Sequence, residues 1–339
     1  MPSPTVDIIV PVWNNLFETR ACLVALLTHS PEARLIVIDN GSDRDTQVML
    51  EEFSEPLGER ALFMASERNL GLVPAINRGL ARSDSDFAVV IRPHVQVVPG
   101  WLTGLLEAAR DPDIGIVSPL FTGSGAPQFP PPARGCLRME TFAGSFSALL
   151  IKREMRLQLS GFDEALDGGE WCLKDYLRQA WDKGFRTCVT ANPTVMCGAE
   201  TVFGSEIRRR DQTRISQECY RKRWGAGRHY AVYFGSAAIA GSLTDAVETI
   251  VNGARRGHRF TLLLHRRQAS DFRRMGWNGL HSGIEIRTLS ILGPQRDLNR
   301  KLTALQVAVP DIIPVQGADG VPFPGAETAL PVCDLTTVP

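Results

Sequence analysis

Short apolar runs alternate with stretches of helical spacing through the first half of the chain. Val6–Pro11, apolar except at Asp7, closes on a proline and reads as a buried strand. Leu16–Leu27 repeats apolar residues at helical spacing, and Leu35–Ile38 is a strand stopped by the turn cluster Asp39-Asn40-Gly41-Ser42. A helix near Thr46–Phe53, a strand near Ala61–Ala65, a helix over Val73–Ala81 and a strand over Phe87–Ile91 continue the rhythm. Such alternation predicts parallel strands joined by crossover helices. Sheets of this kind bind ligands at the carboxyl ends of their strands, so chemistry is expected in the loops after Val10, Ile38 and Ile91.

Gly123–Gly135, dense in glycine and proline, reads as a loop near that edge. Beyond it the pattern predicts a strand over Phe142–Lys152, a helix over Asp175–Lys183 and a strand over Cys188–Val195. Arg208–Arg228 then carries eight basic residues against two acidic ones on a helical pattern ending at Trp224-Gly225. A charged helix leaving a compact body marks a boundary, and strand–helix alternation resumes from Tyr230–Phe234 to Asp311–Val315 with about four strands. The expected fold is therefore α/β throughout: a first domain over 1–229, a smaller α/β domain over 230–316, and an irregular stretch over 317–339.

Composition narrows the partners. The 339 residues carry 37 Lys+Arg and 37 Asp+Glu, a balance that argues against a dedicated nucleic-acid binder. No apolar run reaches the roughly 18–20 residues of a membrane span, and no leader pattern is visible, so peripheral contact is the only membrane role expected. Seven cysteines without CxxC spacing suggest reduced thiols and a cytoplasmic protein.

The order of motifs over residues 6–225 resembles the family-2 glycosyltransferases with a GT-A fold. Ile8-Ile9-Val10-Pro11-Val12-Trp13-Asn14-Asn15 resembles that family's first strand and loop, and Val37-Ile38-Asp39-Asn40-Gly41-Ser42 its second strand. Arg68-Asn69-Leu70-Gly71 with Ala75, Asn77 and Gly79 is similar to its segment beside the nucleotide. Pro99-Gly100-Trp101-Leu102 and Gly161-Phe162-Asp163-Glu164 are further matches in the same order. The resemblance implies a Rossmann-type, nucleotide-sugar-binding first domain and an inverting sugar transfer from a nucleotide-diphosphate sugar to an acceptor that is a saccharide, a lipid or a protein. It implies nucleotide contacts from Pro11, Val12, Asn14, Asp39, Asn69, Gly71, Asn77 and Arg92.

Breaking a bond to diphosphate requires a divalent cation or cationic side chains to stabilise the growing charge, and inversion requires a carboxylate base for the acceptor hydroxyl. Here the sequence departs from the family. Counting back from Pro99-Gly100-Trp101 sets Arg92-Pro93-His94 where the family has its acidic metal-binding motif. His94 is then the one metal ligand offered there, suiting Mn²⁺ better than Mg²⁺, whereas Arg92 could grip phosphate without metal. Counting back from Gly184-Phe185-Arg186 sets Cys172-Leu173 on the family's Glu-Asp pair and Asp175 on its second Asp. A two-residue insertion would bring Glu170 into the role, so Glu170 and Asp175 are the candidate catalytic carboxylates, although Asp175 also suits a helix start. Cys197 falls on the family's metal-ligand histidine, where a small buried thiol is the plain alternative. These losses motivate a rival reading, a catalytically impaired nucleotide- or saccharide-binding or scaffold protein. Phe234-Gly235-Ser236 ahead of a helix raises a weaker idea, a separate ligand for the last domain.

Overall fold

The computed structural model describes residues 4–199, 205–236, 238, 242–317, 333–335 and 338. Two compact units divide the chain. The first comprises 1–138 and 143–225, and the second 139–142 and 226–339.

The first unit runs β1 (Val6–Val12), α1 (Leu16–His29), β2 (Arg34–Asp39), α2 (Arg44–Ser54), β3 (Ala61–Ala65), α3 (Leu72–Leu80) and β4 (Phe87–Ile91). It continues through β5 (Val95–Gln96), α4 (Trp101–Ala108), β6 (Ile114–Thr122), the short β7 (Arg138–Glu140), which leaves this unit after Arg138, and β8 (Ala148–Lys152). After α5 (Arg153–Arg156) come α6 (Trp171–Asp182), β9 (Arg186–Cys197) and α7 (Glu206–Trp224). The sheet order is β3-β2-β1-β4-β8-β6-β9-β5. β1 to β4 are parallel, and β8 enters antiparallel to both β4 and β6.

Side-chain alternation explains the two-faced burial. Ile8, Val10 and Val12 of β1 pack with Leu23 and Leu26 of α1, while Ile9, between them, packs with Ile36, Ile38 and Ala75 of α3 on the other face. Asp7 interrupts the run yet is fully buried, because Arg34 on the neighbouring strand grips both its oxygens at 2.8 and 2.9 Å. Burial pushes its carboxyl up, but hydrogen bonds from Arg34, Ser83 and Ser85 and the Arg34 charge outweigh that, and its pKa ends below the usual range.

Three elements differ from the sequence pattern. The helix expected over Asp175–Lys183 begins four residues earlier, at Trp171, so Asp175 lies inside α6 and not at its start. The strand expected over Phe142–Lys152 begins only at Ala148, because the Ser147 N–H turns back to Ser145 Oγ (3.1 Å) instead of joining the ladder. β6, which the sequence pattern does not mark, contains Gly115 and Pro119. It accommodates them by shifting register against β9 near both residues.

The second unit contains β10 (His229–Tyr233), α8 (Thr244–Arg255), β11 (Arg259–Leu264), α9 (Arg266–Arg274), β12 (Ile284–Thr288), α10 (Pro294–Ala308), β13 (Ile313–Gln316) and β14 (Cys333–Asp334). All its strand pairs are parallel, in the order β12-β11-β10-β13-β14. That is a doubly wound sheet reversing direction between β10 and β13, with an apolar core on each face. The segment 139–142 joins it: Glu140 takes Arg255 at 2.6 and 2.9 Å, and Thr141 Oγ1 meets Ser282 Oγ at 2.7 Å. The expected irregular stretch 317–339 lies mostly outside the described residues, apart from Gly317, Cys333–Leu335 and Val338. The loop beginning Phe234-Gly235-Ser236 is described only in part.

Candidate active site

At the carboxyl edge of β1 and β4 the first unit holds a cleft of about 740 Å³. Its base comes from the end of β1, where Pro11, Val12 and Trp13 line it. The chain then turns through Asn14 and Asn15, both left-handed (φ 58° and 59°), a conformation Asn tolerates better than most side chains. The turn is tied to the next loop: the Asn14 N–H donates to Ser42 Oγ and Asn14 Oδ1 accepts the Asp43 N–H, each at 2.8 Å. Asn14 therefore shapes the loop, and Asn15 is the residue that lines the cleft.

The end beyond β2 is built by amides. Asn40 donates to Asn69 Oδ1 (3.0 Å) and to the Gly71 carbonyl (2.9 Å) and accepts the Leu70 N–H (3.0 Å), stapling the 69–71 loop. Asn40, Asn69 and Gly71 line the cleft. Asp39 is buried at the end of β2, beside Val12 in register, and its Oδ1 accepts the Ser42 N–H at 3.0 Å. It stands behind the lining rather than in it. Asn77 stands outside it too, because its amide clamps Phe162 and Glu164 to α3.

Beyond β4, Arg92, Pro93 and His94 line the cleft as the sequence suggests. The Arg92 N–H donates to the Ser147 carbonyl (3.2 Å) and its own carbonyl accepts the Val95 N–H (3.0 Å), so its backbone is fixed. His94 Nε2 lies 3.1 Å from Ser147 Oγ, and Cys197 Sγ lies 3.9 Å from that same hydroxyl. His94 and Cys197 are thus brought together, but the group they form is an imidazole, a hydroxyl and a thiol without a carboxylate. Among the described residues no three His, Cys, Asp or Glu side chains gather as metal ligands. Oxygen-seeking Mg²⁺ and Mn²⁺ are poorly served by that set.

The remaining lining comes from the loop before α6 and from α7. Glu170 lines the cleft and is exposed, and Leu173 lines it one turn later. Asp175 does not. Its buried carboxylate takes Arg223 and Trp224 Nε1, each at 2.7 Å, and Gln179 at 2.6 Å, which anchors the end of α7 to α6. Asp175, suggested as a catalytic carboxylate, is thus placed in a helix-anchoring contact outside the cleft lining.

Asp167 is a carboxylate the motif counting missed. It sits on Gly71, where any Cβ would collide with Asp167 Oδ2, and its Oδ1 accepts the Val73 N–H at 3.3 Å. Burial, reinforced by the charge of Glu164, pushes its pKa up to about 6 against the Val73 and Leu72 N–H groups that lower it. The sequence signal was present in Asp167-Gly168-Gly169, a carboxylate ahead of two small residues.

Residues 7–156 match the family model described as glycosyl transferase family 2. The first unit has the GT-A fold. Solved neighbours include GalNAc-T7 with UDP, GalNAc and Mn²⁺ (TM-score 0.55, 15% identity, 65% of this chain and 48% of that one). Another is the mannosyltransferase PcManGT from Pyrobaculum calidifontis in complex with GDP-Man and Mn²⁺ (TM-score 0.50, 16% identity, 91% and 81%). In sequence the chain is similar to a putative polypeptide N-acetylgalactosaminyltransferase 13 of Drosophila melanogaster, 29% identical over 139 residues. It is also 31% identical over 112 residues to the putative glycosyltransferase TagX of Staphylococcus aureus (strain COL). Those matches span 36% and 31% of this chain, and 24% and 31% of the relatives' own lengths. Among the described residues no helix is long and apolar enough to cross a membrane.

Proposed function

We propose that the first unit transfers a sugar from a nucleotide-diphosphate sugar to an acceptor hydroxyl, with inversion at the anomeric carbon. The observation that carries this reading is the cleft at the β1–β4 edge, which gathers Arg92 and three carboxylates, Glu18, Asp167 and Glu170. The neighbours solved with UDP or with GDP-Man support a nucleoside diphosphate as the donor's handle. In the reaction the acceptor oxygen bonds to the anomeric carbon as the bond to the diphosphate oxygen breaks. The diphosphate departs with that electron pair, and the hydroxyl proton passes to a carboxylate.

Asp167 suits the proton better than Glu170. A base works best when its pKa lies near the working pH, and Asp167 is partly buried with a pKa of about 6, while Glu170 stands exposed. Because the donor set beside His94 does not suit a divalent cation, no step here passes through one.

Donor turnover, read as release of nucleoside diphosphate from a panel of nucleotide sugars, tests the assignment. Asp167→Asn should lower kcat by about 10²- to 10⁴-fold and remove the acidic limb of the pH profile, with Glu170→Gln nearer wild type. The reverse ranking would return the role to Glu170. A second reading, donor binding without transfer, is favoured by Leu173, an apolar residue lining the cleft where the family's Glu-Asp pair would fall. Tight nucleotide binding with no turnover of any donor would establish it.

A further inference from the structure

We infer that Arg92 and Arg209 together hold the donor's diphosphate in the place where related enzymes use a metal ion. The inference rests on the donor-site reading above and goes beyond it by naming the groups that replace the cation.

Arg209 emerges from a basic run that, taken as composition, looks like a solvated helix face. Its position on α7 decides otherwise. Thr213, Ser216 and Tyr220 follow it at spacings of four, three and four, one stripe along the helix. Ser216 and Tyr220 are buried, and the Tyr220 ring packs against Trp171 at a tilt of 47° with centroids 5.3 Å apart. Thr213 lies over Gly169, where an added Cβ would sit 3.3 Å from its Cγ2. Gly168 lets the helix backbone come closer still, since a Cβ there would strike the Gln212 carbonyl. The far end is fixed by Arg223 and Trp224 on Asp175. Arg209 begins the same stripe, and it lines the cleft.

Arg92 reaches the cleft from the loop after β4, on a backbone held at both its N–H and its carbonyl. Two arginines from distant parts of the chain therefore line one cavity. A departing diphosphate gains negative charge as the sugar bond breaks, and guanidinium groups meet its oxygens with paired, planar hydrogen bonds. The cation-holding alternative lacks its usual chemistry: His94, Ser147 and Cys197 contribute no carboxylate. Arginine at position 92, where the related motif is acidic, would itself repel a divalent ion.

Calorimetric titration of the full chain with UDP, GDP and UMP, in EDTA and then in Mn²⁺, tests this without an acceptor. UDP or GDP should bind in EDTA as tightly as in Mn²⁺. Arg92→Gln and Arg209→Gln should each weaken the diphosphate by about 10- to 100-fold. Arg92→Lys should fail to restore it, since the ammonium loses the two-point contact. If UDP is the diphosphate that binds, its UMP counterpart should be changed little by either substitution, which localises both arginines to the outer phosphate. Unaltered melting temperatures would exclude misfolding, and Arg209, exposed on its helix, is the variant least able to disturb the fold. Binding that appears only with Mn²⁺ would overturn the two-arginine clamp while keeping the donor site. Binding in EDTA that neither substitution weakens would also overturn it. Absence of nucleotide binding in both buffers would remove the donor site, and the clamp with it.

Discussion

Asp167 illustrates how one carboxylate can be poised by its surroundings. It is squeezed between Gly71 and the start of α3, losing more water there than the Val73 and Leu72 N–H groups make good. Its folded pKa of about 6 stands above the ordinary 3.8. Between those values the unfolded chain has released the proton while the folded chain still holds it, so stability falls as pH rises from about 4 to about 6 and then levels. Asp167→Asn removes this penalty. Its melting temperature should exceed wild type at pH 7.5, and the gap should close toward pH 4. A gap independent of pH would mean the carboxyl titrates normally. Asp7 has the opposite sign. Its lowered pKa means that the Arg34 pair stabilises above the ordinary carboxylate range, and the benefit is lost as pH falls through the folded value.

At the scale of elements, α7 is positioned by glycine rather than by an apolar stripe. Gly168→Ala would drive a methyl into the Gln212 carbonyl and Ser216 Oγ and lift the helix off the loop before α6. It should weaken UDP binding nearly as much as Arg209→Gln, while Ala at Gly184, which strains a backbone at φ +84° but meets nothing within 4 Å, should cost stability and leave binding unchanged. Isothermal titration of the two variants checks this. The same helix shows what the sequence could and could not reveal. The strand–helix rhythm of β1 to β4 and the loops after β1, β2 and β4 were legible, because apolar periodicity and turn residues act locally. So were the placements of Pro11, Val12, Asn69, Gly71, Arg92, His94 and Glu170 along the cleft. Asn14, Asn77 and Asp175 looked like site residues because they fall within recurring motifs, yet each spends its side chain holding a loop or helix. Motif spacing fixes where a residue lies along the chain, and it is silent about which partner takes its polar atoms. Arg209 and Asp167 escaped because their roles depend on tertiary packing of α7 and on water lost at Gly71.

For the whole molecule, the notable arrangement is that the units are not successive along the chain. Residues 139–142 belong to the second unit while 143–225 return to the first. Within the second unit Glu140 and Arg255 form a two-point pair with side chains only 15% and 21% exposed. Breaking it by Arg255→Ala strands a largely buried carboxylate, and the second unit should lose about 3 kcal/mol. Arg255→Lys should recover only part of that. Calorimetric unfolding of both variants measures the difference. A chain ended at Gly225 would likewise deprive Glu140 and Thr141 of Arg255 and Ser282.

That threading also sets an order of events on the ribosome. Glu140 precedes Arg255 by 115 residues, so at about 5–20 residues per second the nascent chain waits roughly 6–23 s between them. During that interval the rest of the first unit is still being made, and Met139, buried in the finished protein, has no cover from its own unit. Synthesis speed across 143–255 thus becomes a variable of folding. Slow codons there would lengthen the exposure of a short apolar seam, and rapid passage would shorten it.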